Sequence, residues 1–193
     1  APNAAVMSWR GTEGGIAAAK QKHQVVMTPG SHCYFDHYQG EPKNEPLAIG
    51  GYTPLEKVYN YQPIPTELNA DEAQYILGAQ ANVWTEYIPT FEQIEYMIFP
   101  RMTALAEVLW GTANAKDYSN YFNRVTQHFK EWETKKINFS KAVFEITAEV
   151  MPNPGGENGV LYVLKSNQNQ ANIHYTVDGS QPTAQSPTFS NAL

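Results

Sequence analysis

The sequence holds a single cysteine, Cys33, no run of basic residues and no long apolar stretch. Each shortage removes a class of answer. One thiol cannot close an internal disulfide, which fits a cytosol and a bacterial periplasm equally. Acids outnumber bases 19 to 13. Without clustered Lys and Arg there is nothing to neutralise a phosphate backbone, so no nucleic-acid partner is expected. No segment approaches the roughly 20 apolar residues that span a bilayer, and no charged-then-apolar leader opens the chain. The first residue is Ala1 rather than Met, which leaves room for a portion upstream. The run Gly11-Thr12-Glu13-Gly14-Gly15 lacks the Lys-Ser/Thr of a phosphate-binding loop. His23, His32, His37, His128 and His174 show no paired ligand spacing, so neither a metal nor another cofactor is expected.

What is present is enough apolar material, 42% of 193 residues, for one good core and the beginning of a second. Ala4 to Trp9 is a short apolar run, Ile16 to Lys22 is Ala- and Lys-rich, and Gln24 to Thr28 is β-branched and cut off by Pro29-Gly30. Strand, helix, strand in this order predicts parallel strands joined by crossover helices. A polar loop follows from Ser31 to Gly51. Thr53-Pro54-Leu55-Glu56 then predicts a short helix with Thr53 as its N-cap. After a helical turn at Asp71 to Gln74 comes a third apolar run, Tyr75 to Trp84, whose small Gly78, Ala79 and Ala81 suit a crowded wall. Phe91, Ile94, Met97, Ile98, Leu105, Val108 and Leu109 keep a helical period, with Pro100 expected to kink or split the helix. A further amphipathic helix carries Tyr118, Tyr121, Phe122, Val125, Phe129 and Trp132 on one face.

Beyond about Lys141 the pattern changes to strands at Val143 to Met151, Val160 to Leu164 and Asn172 to Val177. Turn chemistry at Pro152-Asn153-Pro154-Gly155-Gly156 and Asp178-Gly179-Ser180 separates them. A boundary near Ser140 divides an α/β unit, residues 1–140, from a β unit, residues 141–193. About three strands are written in the second, against about seven for a complete sandwich.

Ligands in parallel α/β architectures bind beyond the carboxyl ends of the strands. The three ends here are Trp9-Arg10-Gly11, Tyr34-Phe35-Asp36 and Trp84-Thr85-Glu86. Each brings an aromatic and two bring a carboxylate, the equipment of a sugar site: rings stack on the C–H face of a pyranose and carboxylates accept from its hydroxyls. Each residue also has a plainer reading. Trp9 could be core, Tyr34 and Asp36 could cap a loop, and Glu86 could serve the next helix as a dipole partner. Cys33 has no evident base and is not expected to be a nucleophile. Arg101, Glu107, Trp110 and Trp132 read as structural.

In order along the chain, Met7-Ser8-Trp9-Arg10-Gly11, Met27-Thr28-Pro29 with Cys33-Tyr34-Phe35-Asp36, and Gly78-Ala79-Gln80-Ala81-Asn82-Val83-Trp84-Thr85-Glu86 resemble glycoside hydrolase family 20, the β-N-acetylhexosaminidases. Phe99-Pro100-Arg101 through Glu107 and Trp110 resembles that family's last barrel helix. Ile173 to Thr183 resembles the β-domain appended to bacterial members. The resemblance implies the carboxyl-terminal portion, about strands six to eight, of a TIM (β/α)8 barrel, followed by the first strands of a β-sandwich. It implies hydrolysis of terminal N-acetylglucosamine or N-acetylgalactosamine residues from glycans by substrate-assisted retention, in which the N-acetyl carbonyl attacks the anomeric carbon. Trp9 and Trp84 would line the acetamide pocket, Tyr34 would donate to the acetamide oxygen as a catalytic group, and Asp36 and Glu86 would accept from outer hydroxyls. The family's Asp-Glu pair would lie upstream, since Asp71-Glu72 does not follow a strand. By the same resemblance the protein would be periplasmic, secreted or on a bacterial cell surface. An apolar edge left by three of eight strands would favour self-association.

Two other readings stay open on the sequence. Asp36 and Glu86 could be the acid and nucleophile of a different retaining glycosidase, with carboxyls about 5–5.5 Å apart. Alternatively, the chain could be a non-catalytic carbohydrate-binding or surface interaction module.

Overall fold

The computed structural model describes residues 1, 3–112, 116–153, 159–166 and 172–190. It divides into two compact units, Ala1–Ala142 and Val143–Leu193.

In the first unit, β1 (Val6–Ser8), β2 (Val25–Met27) and β3 (Ile76–Ala79) form one parallel sheet in that order. The register pairs Val6 with Val25 and Ser8 with Met27, then Val25 with Ile76 and Met27 with Ala79. A crossover joins each pair, as strand-helix-strand alternation requires. The first crossover is α1 (Glu13–Lys20), which begins three residues earlier than its Ala-rich stretch suggests. Glu13 favours the positive end of the helix dipole, and the helix stops at Lys20 because Lys22 turns left-handed, with φ 65°.

Gly15 lies where α1 crosses the sheet. A Cβ there would stand 2.6 Å from Met27 Sδ, 3.1 Å from Ser8 Cβ and 3.2 Å from Val25 Cγ1. Gly15→Ala should therefore overpack the helix–sheet contact and cost about 1–3 kcal/mol, read as a lower urea midpoint. An unchanged midpoint would mean that the helix lifts freely. Gly78 behaves differently from the expectation of a crowded wall. A Cβ on it would meet nothing within 4 Å, but its φ is 144°. It sits where the β2–β3 register shifts, so its need is conformational.

Thr53 is also not the helix cap it resembles. Pro54 occupies the N-cap position of α3 (Leu55–Tyr59), with no side-chain cap bond. Thr53 is fully buried and turned inward. The short α4 (Ala70–Ala73) is closed by a reciprocal capping box between Asn69 and Glu72. This fixes Glu72 in a structural role.

Pro100 splits the long helical pattern into α5 (Phe91–Ile98) and α6 (Arg101–Trp110), with Phe99 extended between them. Helix α7 (Tyr118–Lys135) starts at Asp117, whose side chain accepts from Asn120 N–H, and ends at left-handed Lys136. It buries Tyr121, Phe122, Val125, Phe129 and Trp132, the face its periodicity marks. Trp132 packs on Phe99, Phe129 and Phe139. Trp110, in contrast, is 92% exposed and adds little to this core. No helix among the described residues is long and apolar enough to cross a membrane.

In the second unit, β4 (Ile146–Pro152) and β5 (Val160–Ser166) pair antiparallel with Pro152 opposite Val160. Pro154-Gly155-Gly156 of the expected turn lie outside the described residues. The third expected strand is reduced to a single bridge, His174 to Thr188. Ile173 is buried but Val177 is 89% exposed. The alternation breaks because the chain is already turning: Ser180 N–H and Oγ–H both donate to Asp178 Oδ1, at 3.0 and 2.7 Å.

Candidate functional site

The three strand ends meet in one open cavity of about 810 Å³. Trp9, Tyr34, Asp36, Trp84 and Glu86 all line it, joined by Met7, Thr28, His37, Ile49, Gln80 and Asn82.

Trp9 follows β1 directly and is half exposed, as is Trp84 beyond β3. Arg10 lies over the Trp9 ring, 4.7 Å from its centroid. Both tryptophan rings therefore stand open at the cavity wall and are not packed in the core. Along the third segment, Gln80, Asn82, Trp84 and Glu86 all face the cavity while the residues between them do not line it. This period of two continues the strand's alternation past its last regular pair.

Tyr34 is placed by an excursion. After β2 the chain makes a helical turn, α2 (Gly30–Cys33), and then becomes extended at Tyr34, which bridges to Asn82. Both peptides flanking Tyr34 are tied to Asn82: Asn82 N–H donates to Cys33 C=O, and Phe35 N–H donates to Asn82 C=O, each at 2.8 Å. The Asn82 side chain in turn donates to Thr28 Oγ1 at 2.6 Å and accepts from Gln80 Nε2 at 2.9 Å. The residues that follow β2 and β3 are thus knitted by hydrogen bonds to one another and to the Tyr34 segment.

Asp36 is only 5% exposed, and its Oδ1 is buried with no hydrogen-bond donor. Burial raises its carboxyl above the ordinary range. Its own backbone N–H and that of Trp84, with nearby His37 and Arg101, pull the other way. A carboxylate with unmet acceptor capacity suits a ligand that brings hydroxyl donors. Glu86 is exposed at the outer side. Cys33 is fully buried and its thiol is pushed up to about 12 by burial, so it stays protonated near neutrality. No cluster of His, Cys, Asp or Glu among the described residues could hold a metal ion.

Arg101, at the start of α6, holds the loop from beneath. It is completely buried and donates to the carbonyls of Phe35, His37, Thr53 and Met97. Its guanidinium lies 4.9 Å over the Phe35 ring. Burial lowers it to about 9, offset by Glu45 and Asp36, so it remains charged near neutrality. Four accepting carbonyls match the donor fork of an arginine and not the point charge of a lysine.

Strand ends in the sequence point to five of these residues, Trp9, Tyr34, Asp36, Trp84 and Glu86. The even-numbered spacing could also have placed Gln80 and Asn82 there. His37 and Ile49 give no local signal, because they come from a loop without periodicity.

Residues 1–113 match the glycosyl hydrolase family 20 catalytic domain, and residues 153–193 match the chitobiase/β-hexosaminidase C-terminal domain. The whole chain is 42% identical to part of a β-hexosaminidase of Porphyromonas gingivalis, covering 25% of that protein. A β-N-acetylhexosaminidase of Cellulomonas fimi is 28% identical over 76% of this chain and 29% of its own length. Among solved structures, the family 20 exo-β-N-acetylglucosaminidase of Vibrio harveyi in complex with N-acetylglucosamine superposes with a TM-score of 0.63. It is 33% identical over 72% of this chain and 22% of that one. The chain thus spans about a quarter of the length of the curated relatives it matches.

Proposed function

The chain belongs to glycosyl hydrolase family 20 and carries a fragment of its TIM barrel, and from that premise we propose that it is the substrate-embracing part of a β-N-acetylhexosaminidase. The reaction is hydrolysis of terminal N-acetylglucosamine or N-acetylgalactosamine from glycans. β1, β2 and β3 take the places of barrel strands six, seven and eight. Residues 1–140 belong to the barrel and residues 141–193 to an appended sandwich. The observation that carries this reading is that Trp9, Tyr34, Asp36, Trp84 and Glu86, from three separate segments, line one cavity.

Each side chain has a chemical task there. Trp9 and Trp84 form the apolar walls that receive the N-acetyl methyl, a small group whose desolvation favours burial between rings. As the acetamide oxygen attacks the anomeric carbon, positive charge spreads into the acetamide group and the ring it closes. The Tyr34 hydroxyl donates to that oxygen and aims it. Asp36 and Glu86 accept from hydroxyls on the far side of the ring. The leaving oxygen needs a proton from a carboxylic acid. The Asp-Glu pair that the family uses for this is assigned to a part of the barrel beyond these residues; Glu72 is engaged in its capping box. On the family resemblance the protein would be periplasmic, secreted or at a bacterial cell surface. Where the barrel is incomplete, the apolar edge would be covered by a second copy, which light scattering would show as a dimer or larger species; a monomer would refute this.

The direct test is release of a chromophore from an N-acetylglucosaminide by residues 1–193 and by the longer protein containing them. Turnover by the longer protein only is expected. Turnover by the short chain would place the acid within it, and none by either would remove the hydrolase reading.

The raised Asp36 carboxyl gives a pH signature. Ionised Asp36 is the form that accepts from the sugar, so protonation weakens binding as pH falls. Because burial raises the carboxyl, the loss begins at a higher pH than an exposed aspartate would give. In the longer protein, kcat/KM should bend in that range and Asp36→Asn should abolish the bend. A bend that survives the substitution belongs to another group.

A further inference from the structure

His37 lines the same cavity as Tyr34, and nothing in the proposed reaction uses it. Its ring is unusually well held. Nδ1 is 3.1 Å from the hydroxyl of Thr53, a residue with no exposure. The ring fills the space a side chain at Gly51 would need: a Cβ there would stand 2.5 Å from Nδ1 and 2.6 Å from Cγ. Gly51 also has a φ of 69°, so the position favours glycine on both counts. The His37 carbonyl accepts from the buried Arg101 at 3.0 Å. The segment of Gly51 and Thr53 therefore holds the imidazole, and Arg101 of α6 holds the backbone that carries it.

The free side of that imidazole meets Tyr34. The two ring centroids are 5.6 Å apart at an interplanar angle of 40°, within the range of favourable tilted packing. Tyr34 is tethered through its flanking peptides to Asn82, as described, but those bonds fix its backbone and leave its side-chain torsions open. We propose that His37 is a positioning residue: wedged between Gly51 and Tyr34 and pinned by Thr53, it sets the direction in which the Tyr34 hydroxyl points into the cavity. The proposal rests on the hydrolase reading for its catalytic consequence, and on geometry alone for the effect on the Tyr34 ring. The groups around the imidazole are consistent with a neutral spacer. Burial lowers its proton affinity, Arg101 and Lys57 lower it further, and adjacent Asp36 raises it.

The test is a double-mutant cycle in the longer protein containing this chain, scored on an N-acetylglucosaminide. A misplaced catalytic group costs rate without costing ground-state affinity. His37→Ala should lower kcat about tenfold and leave KM within about twofold. In a Tyr34→Phe background, where the hydroxyl no longer exists to be aimed, the same substitution should have little further effect. Multiplying losses would show that His37 touches the sugar itself and would overturn the proposal, as would a loss confined to KM. Thr53→Val, which removes the pin and keeps the volume, should lower kcat in the same sense by a smaller factor, and covers the case in which His37→Ala misfolds. A readout without turnover separates this from the hydrolase reading. With ζ-13C tyrosine in the protein, the Tyr34 resonance, identified by its loss in Tyr34→Phe, should shift or broaden in His37→Ala. An unchanged resonance overturns the proposal whether or not the protein hydrolyses anything.

Discussion

Tyr34→Phe in the longer protein containing this chain should lower kcat on an N-acetylglucosaminide by on the order of 10²-fold, the size of loss expected when a reacting group is no longer held in line for attack. The substitution keeps the ring and hence its packing against His37. It also leaves untouched the two backbone bonds that tie the neighbouring peptides to Asn82. The folded structure and the cavity that Trp9 and Trp84 line should therefore survive. The loss should appear in kcat and kcat/KM together, because the hydroxyl aims the acetamide oxygen at the anomeric carbon and a misaligned nucleophile costs rate rather than affinity. A mutant with wild-type turnover would remove Tyr34 from the chemistry, and a mutant that loses only affinity would reduce it to a substrate contact.

Arg101→Leu should be the most damaging single change to the fold itself. The guanidinium serves the carbonyls of Phe35, His37, Thr53 and Met97, with no solvent access to any replacement donor. Each buried acceptor left unbonded costs roughly 1–3 kcal/mol. The change also removes the cost of burying the cation, so the net expected loss is about 3–5 kcal/mol, the range found when one member of a buried charged network is removed. Arg101→Lys should recover only part of it, since an ammonium cannot reach four carbonyls in a planar fork. Urea unfolding measures both; a change below about 1 kcal/mol for Arg101→Leu would mean that water replaces the guanidinium. Partially folded Arg101→Lys enzyme should also bind substrate poorly, because the Phe35 and His37 carbonyls belong to the loop that carries Asp36.

Strand, crossover and strand were readable from Ala4 to Met27 because apolar β-branched runs alternate with an Ala-rich stretch, and the three parallel strands form in that order. The amphipathic α7 was readable because its buried face repeats with the helical period. Thr53 was misread because Thr-Pro before a short helix is a strong local signal for a cap. Here the tertiary demand of His37 and Arg101 turns that hydroxyl and carbonyl inward. Gly78 was read as a small residue in a crowded place, when a shift of strand register requires its positive φ. The difference lies in backbone torsion, which composition does not report.

The same contrast holds within the cavity. Trp9, Tyr34, Asp36, Trp84 and Glu86 were nameable because strand ends in parallel α/β folds converge, and each end carries an aromatic or an acid. Arg101 was assigned to structure, which is correct, yet its bonds run to the very loop that bears Tyr34 and Asp36. A helix residue more than sixty positions away from the loop it holds gives no periodic or motif signal for that contact. His37 is invisible for a related reason: its importance comes from Thr53, Gly51 and Tyr34, which meet only after folding.

The central claim is that one N-acetylated sugar ring is held by residues from all three strand ends at once. A crystal structure of the longer protein with N-acetylglucosamine bound tests it most directly. The acetamide methyl should lie between Trp9 and Trp84, its carbonyl oxygen within about 3 Å of the Tyr34 hydroxyl, and ring hydroxyls against Asp36 and Glu86. A sugar bound elsewhere, or one whose acetamide points away from Tyr34 into solvent, would contradict it.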